Sequence, residues 1–227
     1  MCIVIQWGCV DINNYVHVTG AFLSGPGAME EAIYKQSKLY AAFKEERQQK
    51  GLKVPRGDGV LVFDEVKVVS RLMWNSRNQQ IIGLAMSPED MSSLHDIYMT
   101  YDKDTKTEQT TYILQFLWRD LTSKFDIVGP YFTSSGSVKS KFTIACIFET
   151  IKLFQLYGFE TSGIVCDGAS TNLTTIKCTS GSHSGAYGSD SSQSGYPVPA
   201  PCFENPFNPP NLIYWIVCPS HQVNKID

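Results

Sequence analysis

Apolar residues follow two different periods along this chain, and the switches between them predict the order of its elements. From about Gly27 to Lys50, Met29, Ile33, Tyr40 and Phe43 recur at three-, four- and seven-residue spacings, which predicts a helix stopped by Gly51. GVLVFDEVKV (59–68) is β-branched and apolar up to Asp64, the pattern of a buried strand that emerges at a polar end. VSRLMWN (69–75) and QQIIGLAM (79–86) follow with short turn signals between them, so three adjacent strands are expected to form an antiparallel meander. Ser87-Pro88-Glu89-Asp90 has the composition of a helix start, with a cap, a proline at the first position and acids in the first turn. TTYILQFLWRDL (110–121) fits a strand or a helix, and its periodicity does not decide between them.

In the second half, Ile144, Ile147, Phe148, Ile151 and Phe154 form one broad stripe, predicting a helix over 138–157 that Gly158 ends. TSGIVCD (161–167) reads as a buried strand with an acid at its end, and ASTNLTTIK (169–177) begins a helix or turn. Residues 178–210 are rich in Gly, Ser and Pro and lack apolar periodicity, as expected of a flexible insertion. NLIYWIVC (211–218) is a further strand, and PSHQVNKID opens a helix. The expected fold class is α/β: a mixed sheet, an antiparallel meander followed by parallel strands, flanked by helices. Residues 1–56 read as an N-terminal helical extension and 57–227 as the sheet domain.

Composition narrows the class without naming a function. Of the 227 residues 43% are hydrophobic and 18% charged, which fits a globular chain rather than a disordered one. The net charge of −3 gives no global basic field to attract nucleic acid. Lys44, Arg47, Lys50, Lys53 and Arg56 cluster at the end of the first helix, where cations suit the helix dipole and a solvated face. Seven irregularly spaced cysteines point to free thiols in a reducing compartment rather than to a disulfide framework. The apolar start, MCIVIQWGCV, lacks the basic flank and cleavage site of a signal peptide, and no run is long enough to span a membrane.

Two acids stand out by context. Asp64 follows Val60-Leu61-Val62-Phe63, and Asp167 follows Gly163-Ile164-Val165-Cys166. A carboxylate just beyond a buried strand is held on a rigid element, and two from neighbouring strands can share a divalent ion. Each could equally cap a backbone amide at a strand end. A zinc site built from Cys218 and His221 with Cys202, His183 or Cys178 would draw several ligands from the flexible stretch, which tetrahedral zinc does not favour.

From Gly59 onward the chain resembles P-element-type DNA transposases. The stretches that carry the likeness are FDEVKV (63–68), SRLMWNS…QQIIGLAMSPEDMSSLHDIY (70–98), FLWRDLTSKFDIVGPYFTS (116–134), ETIKLFQLYGFETSGIVCDGASTNL (149–173) and NPFNPPNLIYWIVCPSHQVNK (205–225). The resemblance implies a ribonuclease-H-like catalytic core in which two aspartates and a later glutamate coordinate magnesium, or manganese, for DNA strand cleavage and transfer. By motif, Asp64 and Asp167 correspond to the two aspartates, as catalytic and metal-binding residues. Glu65 is expected to face the other side of the strand in a structural role. His221 stands where the family could use a histidine to arrange the site or a phosphate, and a packed histidine is the favoured expectation. The resemblance further implies transposon-end DNA as partner, association with itself or with a full-length transposase, no membrane, and a nuclear location.

The sequence departs from the family pattern in several places. No zinc-coordinating DNA-binding motif precedes residue 58. The guanine-nucleotide-binding insertion would follow residues 219–227, so GTP is not expected for this stretch. The third carboxylate would lie beyond that insertion, and Glu204, Glu149 and Glu160 are poor substitutes. The ribonuclease-H-like fold is therefore expected to be incomplete, with one sheet face uncovered and a tendency to low stability or self-association. Two functions follow: a fragment of a metal-dependent strand-cleaving domain, inactive alone, or a non-catalytic partner or inhibitor of a full-length transposase.

Overall fold

The longest apolar strand, β1 (Asp58–Lys67), lies inside a six-stranded sheet and the other elements are arranged around it. The computed structural model describes residues 27, 30–75, 80–83, 85, 109–180 and 201–218. On one side β1 pairs antiparallel with β4 (Tyr112–Asp120), which pairs antiparallel with β5 (Asp126–Ser134). On the other side it runs parallel to β6 (Glu160–Cys166), which runs parallel to β8 (Leu212–Val217). The short β7 (Cys202–Glu204) closes that edge antiparallel, giving the order β5-β4-β1-β6-β8-β7. The mixed α/β sheet expected from the sequence is present.

Its meander, however, is built from other strands than the apolar runs suggest. β2 (Met73–Asn75) and β3 (Gln80–Ile82) pair with each other in a separate two-stranded sheet. The antiparallel neighbours of β1 come instead from residues 112–134. Short apolar runs advertise a strand but not its partner, which is chosen by the faces that can be buried together. The chain leaves the sheet after β1 and returns where it left: the amide of Val68 donates to the carbonyl of Thr111 at 2.8 Å, and that of Thr110 to Gly83 at 2.8 Å. The helix start expected at Ser87–Asp90 and the closing helix after residue 218 lie outside the described residues.

β4 resolves the ambiguous 110–121 segment as a strand. Leu114, Phe116 and Trp118 point to one face, and the alternation is disturbed because a bulge between Gln115 and Leu117 shifts the register with β5. At that bulge the Gln115 side-chain amide donates to the carbonyls of Phe116 (2.7 Å) and Gly129 (2.9 Å). β5 carries Gly129-Pro130 in mid-strand. Proline is tolerated there because β5 is an edge strand and the bulge has already interrupted the ladder.

Three helices pack on the same face of the sheet: α1 (Glu30–Gln49), α2 (Ser140–Leu156) and α3 (Ser170–Ser180). Leu61, Phe63, Phe116, Trp118, Ile164 and Trp215 from the sheet share one core with Ile33 and Tyr40 of α1, Ile147, Ile151 and Phe154 of α2, and Ile176 of α3. Trp118 is fully buried and meets the rings of Tyr40, Phe154 and Phe159. A buried aromatic of this kind contributes on the order of 2 kcal/mol. α1 also covers the free edge of β5. The buried Gln36 side chain donates to the carbonyl of Val128 and accepts from its amide, both at 2.9 Å, in place of a neighbouring strand. α3 continues to Ser180 and β7 begins at Cys202, both inside the 178–210 stretch expected as an insertion; residues 181–200 are not among those described.

On the opposite face Val60, Val62 and Val165 are half-buried, and Tyr214 and Ile216 of β8 are each 45% exposed. The described helices all lie on the other side. Among the described residues no helix is long and apolar enough to cross a membrane.

Candidate active site

Asp64 and Asp167 belong to neighbouring segments of the sheet, each two residues beyond the last pair of the β1–β6 ladder. In the parallel ladder of β1 and β6, Leu61 stands beside Ile164 and Val62 beside Val165. Side chains alternate with a period of two, so Asp64, inside β1, shares the face of Val62, while Asp167 follows the last residue of β6 at the turn into α3; the two strands lie about 4.8 Å apart. Asp64 lies in the carboxyl half of β1 and Asp167 just past the carboxyl end of β6, the side of an open α/β sheet on which ligands are usually bound.

The two carboxylates differ in their surroundings. Asp64 is exposed, and its Oδ1 accepts from the amide of Glu65 at 2.9 Å. Asp167 is half-buried in the turn between β6 and α3, where its Oδ1 accepts from the amide of Ala169 at 3.0 Å and from Nδ2 of Asn172 at 2.6 Å. Asn172 belongs to the first turn of α3. From the sequence it stands out only as the start of a glycosylation pattern, Asn172-Leu173-Thr174. The signal that could have singled it out is its position five residues after a strand-end acid, across a helix start.

Glu65 takes the opposite side of the strand, as expected of a structural residue. Its Oε1 accepts from the amide of Val138 at 2.7 Å, just ahead of α2, whose own cap residue Lys139 makes no side-chain capping bond. A carboxylate from β1 thus fixes the turn that leads into α2 and places a negative charge near the helix's N-terminus. Glu65→Ala is expected to destabilise the fold by about 1 kcal/mol and Glu65→Gln by less, because the amide oxygen remains an acceptor. Urea unfolding of the three proteins checks this; equal midpoints would contradict the anchoring role.

The remaining candidates lie elsewhere. Glu160 begins β6, at the far end of the strand from Asp167. Its carboxylate is held by Nδ2 of Asn208 at 2.7 Å, with the side-chain amides of Asn205 and Asn211 at 3.4 Å. Glu204 pairs with Leu212 at the start of β8, also away from the acids. Glu149 lies on α2, on the helical side of the sheet, 3.9 Å from Lys152. His183 and His221 are outside the described residues. Among the described residues no three His, Cys, Asp or Glu side chains converge as a metal site. Cys166 is buried in the core with Ile164; burial pushes its thiol up to about 12, and the charge of Asp167 adds to the effect, which disfavours the reactive thiolate.

The donor set fits a hard divalent cation. Two carboxylates on rigid neighbouring strands, one exposed and one half-buried, match the oxygen ligands that magnesium takes while keeping several waters.

Residues 36–180 match the family model described as the TNP-like, RNase H N-terminal domain. No curated protein matches the chain. Among solved structures, the chain is similar to the Drosophila P element transposase strand transfer complex, with 12% identity and a TM-score of 0.47. That alignment covers 96% of this chain and 47% of the other, so the chain spans about half the length of the structure it matches.

Proposed function

Because this chain belongs to the family of TNP-like RNase H N-terminal domains, we propose that it is the part of a P-element-type DNA transposase that presents Asp64 and Asp167 to a divalent metal ion. One observation supports the proposal: the parallel ladder of β1 and β6 pairs Val62 with Val165, and Asp64 and Asp167 each follow two residues later in the chain. When bound, the ion would lend the Lewis acidity needed to cleave a phosphodiester. The chain's own residues that would hold it are Asp64 from β1 and Asp167 from the turn after β6. Transposon-end DNA is the corresponding substrate, and the nucleus the corresponding place of action. Two carboxylates are fewer than the three the resemblance implies. The 227-residue chain alone is therefore expected to bind the ion weakly and to leave DNA uncut.

The inactive-partner function has one observation in its favour. Tyr214 and Ile216 expose an apolar stripe on the face that carries Asp64, which would suit association with a larger assembly.

Manganese titration followed by electron paramagnetic resonance tests the metal proposal. The chain is expected to bind Mn²⁺, and Asp64→Asn and Asp167→Asn each to abolish most of that binding without unfolding the protein. Absence of binding in the unmodified chain, or binding that survives both substitutions, would overturn it.

A further inference from the structure

The geometry points to Asn172 as a positioning residue for the Asp167 carboxylate, a role that rests on the metal-binding function proposed above. Asp167 follows the last residue of β6, where the chain turns into α3, so its backbone is fixed by the strand but its carboxylate could still rotate. Two donors limit that rotation, and both end on the same oxygen. The amide of Ala169 reaches Oδ1 at 3.0 Å, the local turn bond that any strand-end aspartate can make. Nδ2 of Asn172 reaches the same Oδ1 at 2.6 Å from the first turn of α3. The second bond is not required by the turn. It ties the carboxylate to a helix held in the core through Thr175 and Ile176. Among the described residues both of these bonds end on Oδ1, so they orient the carboxylate through one oxygen.

The chemistry of the donor matters as much as its position. A lysine or arginine here would hold the carboxylate equally well but would offset the negative charge that attracts a cation. A neutral amide orients the acid and leaves its charge in place, the usual division of labour between a metal ligand and its supporting residue. The same bond occupies the side-chain nitrogen that glycosylation of Asn172-Leu173-Thr174 would require.

The test compares the full chain with Asn172→Ala, Asn172→Leu and Asn172→Gln, reading Mn²⁺ affinity and spectral line shape together with thermal midpoints in EDTA. Loss of the donor is expected to weaken Mn²⁺ binding by about 10- to 100-fold in the Ala and Leu variants. Leu keeps the side chain's size, so a packing defect in Ala alone does not imitate the result. Asn172→Gln, which keeps an amide on a longer stem, is expected to recover part of the affinity. Unchanged Mn²⁺ affinity in both Ala and Leu variants would overturn the assignment. So would an affinity loss that follows the drop in thermal midpoint across all three variants, with no recovery in Gln. An unmodified chain that binds no Mn²⁺ would remove the parent function and this role together. Binding abolished by Asp167→Asn but untouched at residue 172 would remove only the role of Asn172.

Discussion

Gly59→Val is expected to abolish folding, and Gly59→Ala to destabilise the protein by roughly 3 kcal/mol or more. Gly59 opens β1 opposite Asp120, and the indole of Trp118 lies over it where a side chain would project. A Cβ at this position would stand 2.2 Å from Cε2 and 2.3 Å from Cζ2 of Trp118, and 2.6 Å from the carbonyl oxygen of Arg119. None of these atoms can yield cheaply. The indole is packed among Tyr40, Phe154 and Phe159, and its Nε1 donates to the carbonyl of Glu160 at 3.2 Å. The Arg119 carbonyl is backbone in the neighbouring strand. Since a domain of this size is stable by only about 5–15 kcal/mol, even alanine consumes much of the margin. Circular dichroism and urea unfolding read the effect. A second change, Trp118→Leu, should restore part of the stability in the Gly59→Ala background by removing the clashing ring. If Gly59→Ala unfolds at the wild-type midpoint, the indole does not constrain this position.

Removing the carboxylate of Asp120 is the second large perturbation. Asp120 ends β4, is 2% exposed, and accepts from the Tyr40 hydroxyl and from both the amide and the hydroxyl of Thr122, the latter two at 2.7 Å. Burial alone would push its carboxyl up, but the hydrogen bonds from Tyr40, Thr122 and Ser123 outweigh this and hold it below the usual carboxylate range. Tyr40 is shifted up, first by burial and then by its bond to Asp120. Asp120→Ala leaves these donors without their acceptor and should destabilise by about 3 kcal/mol, whereas Tyr40→Phe should cost about 1–2 kcal/mol. The pH dependence follows from the two directions. The lowered carboxyl contributes stability that is complete above about pH 4, its unfolded value, and is lost as pH falls towards the folded value. The raised phenol contributes stability that is complete below about pH 10 and is lost as pH rises beyond it. Denaturant midpoints should therefore form a plateau that falls at both ends, and both shoulders should flatten in a Tyr40→Phe, Asp120→Ala double variant. Identical profiles for the double variant and the wild type would exclude the pair as the cause.

Much of the sheet was legible because buried strands leave local signatures. β1, β6 and β8 are apolar runs bounded by turn residues, and α1 and α2 show helical stripes. β5 was not read as a strand because Gly129-Pro130 resembles a turn; only its edge position and the bulge beside Gln115 make that sequence acceptable. β7, three residues at the border of a Gly/Ser/Pro-rich stretch, carries too little pattern to be seen. The pairing of β1 with β4 was missed for a different reason. Gly59 meets Asp120 and Lys67 meets Tyr112, contacts far apart in sequence, while the nearer apolar runs 69–75 and 79–86 offered a simpler but incorrect meander. The acids Asp64 and Asp167 could be named from context. That their strands are neighbours depends on strand pairing, which no single segment encodes. The Tyr40–Asp120 bond joins elements 80 residues apart and has no local signal.

The detour between β1 and β4 has a consequence for how the domain tolerates change. Its two ends meet as hydrogen-bonded neighbours, Val68 with Thr111, so the sheet fixes where the detour starts and finishes but not how much chain it holds. Loop-closure entropy grows only with the logarithm of length, and closing some 44 residues instead of four costs about 2 kcal/mol. That sum is small beside the burial gained when the strands pair. Segments of very different size can therefore be accommodated between these strands with the acid-bearing edge unmoved. The penalty falls on the speed of assembly, because β1 must wait for a distant partner.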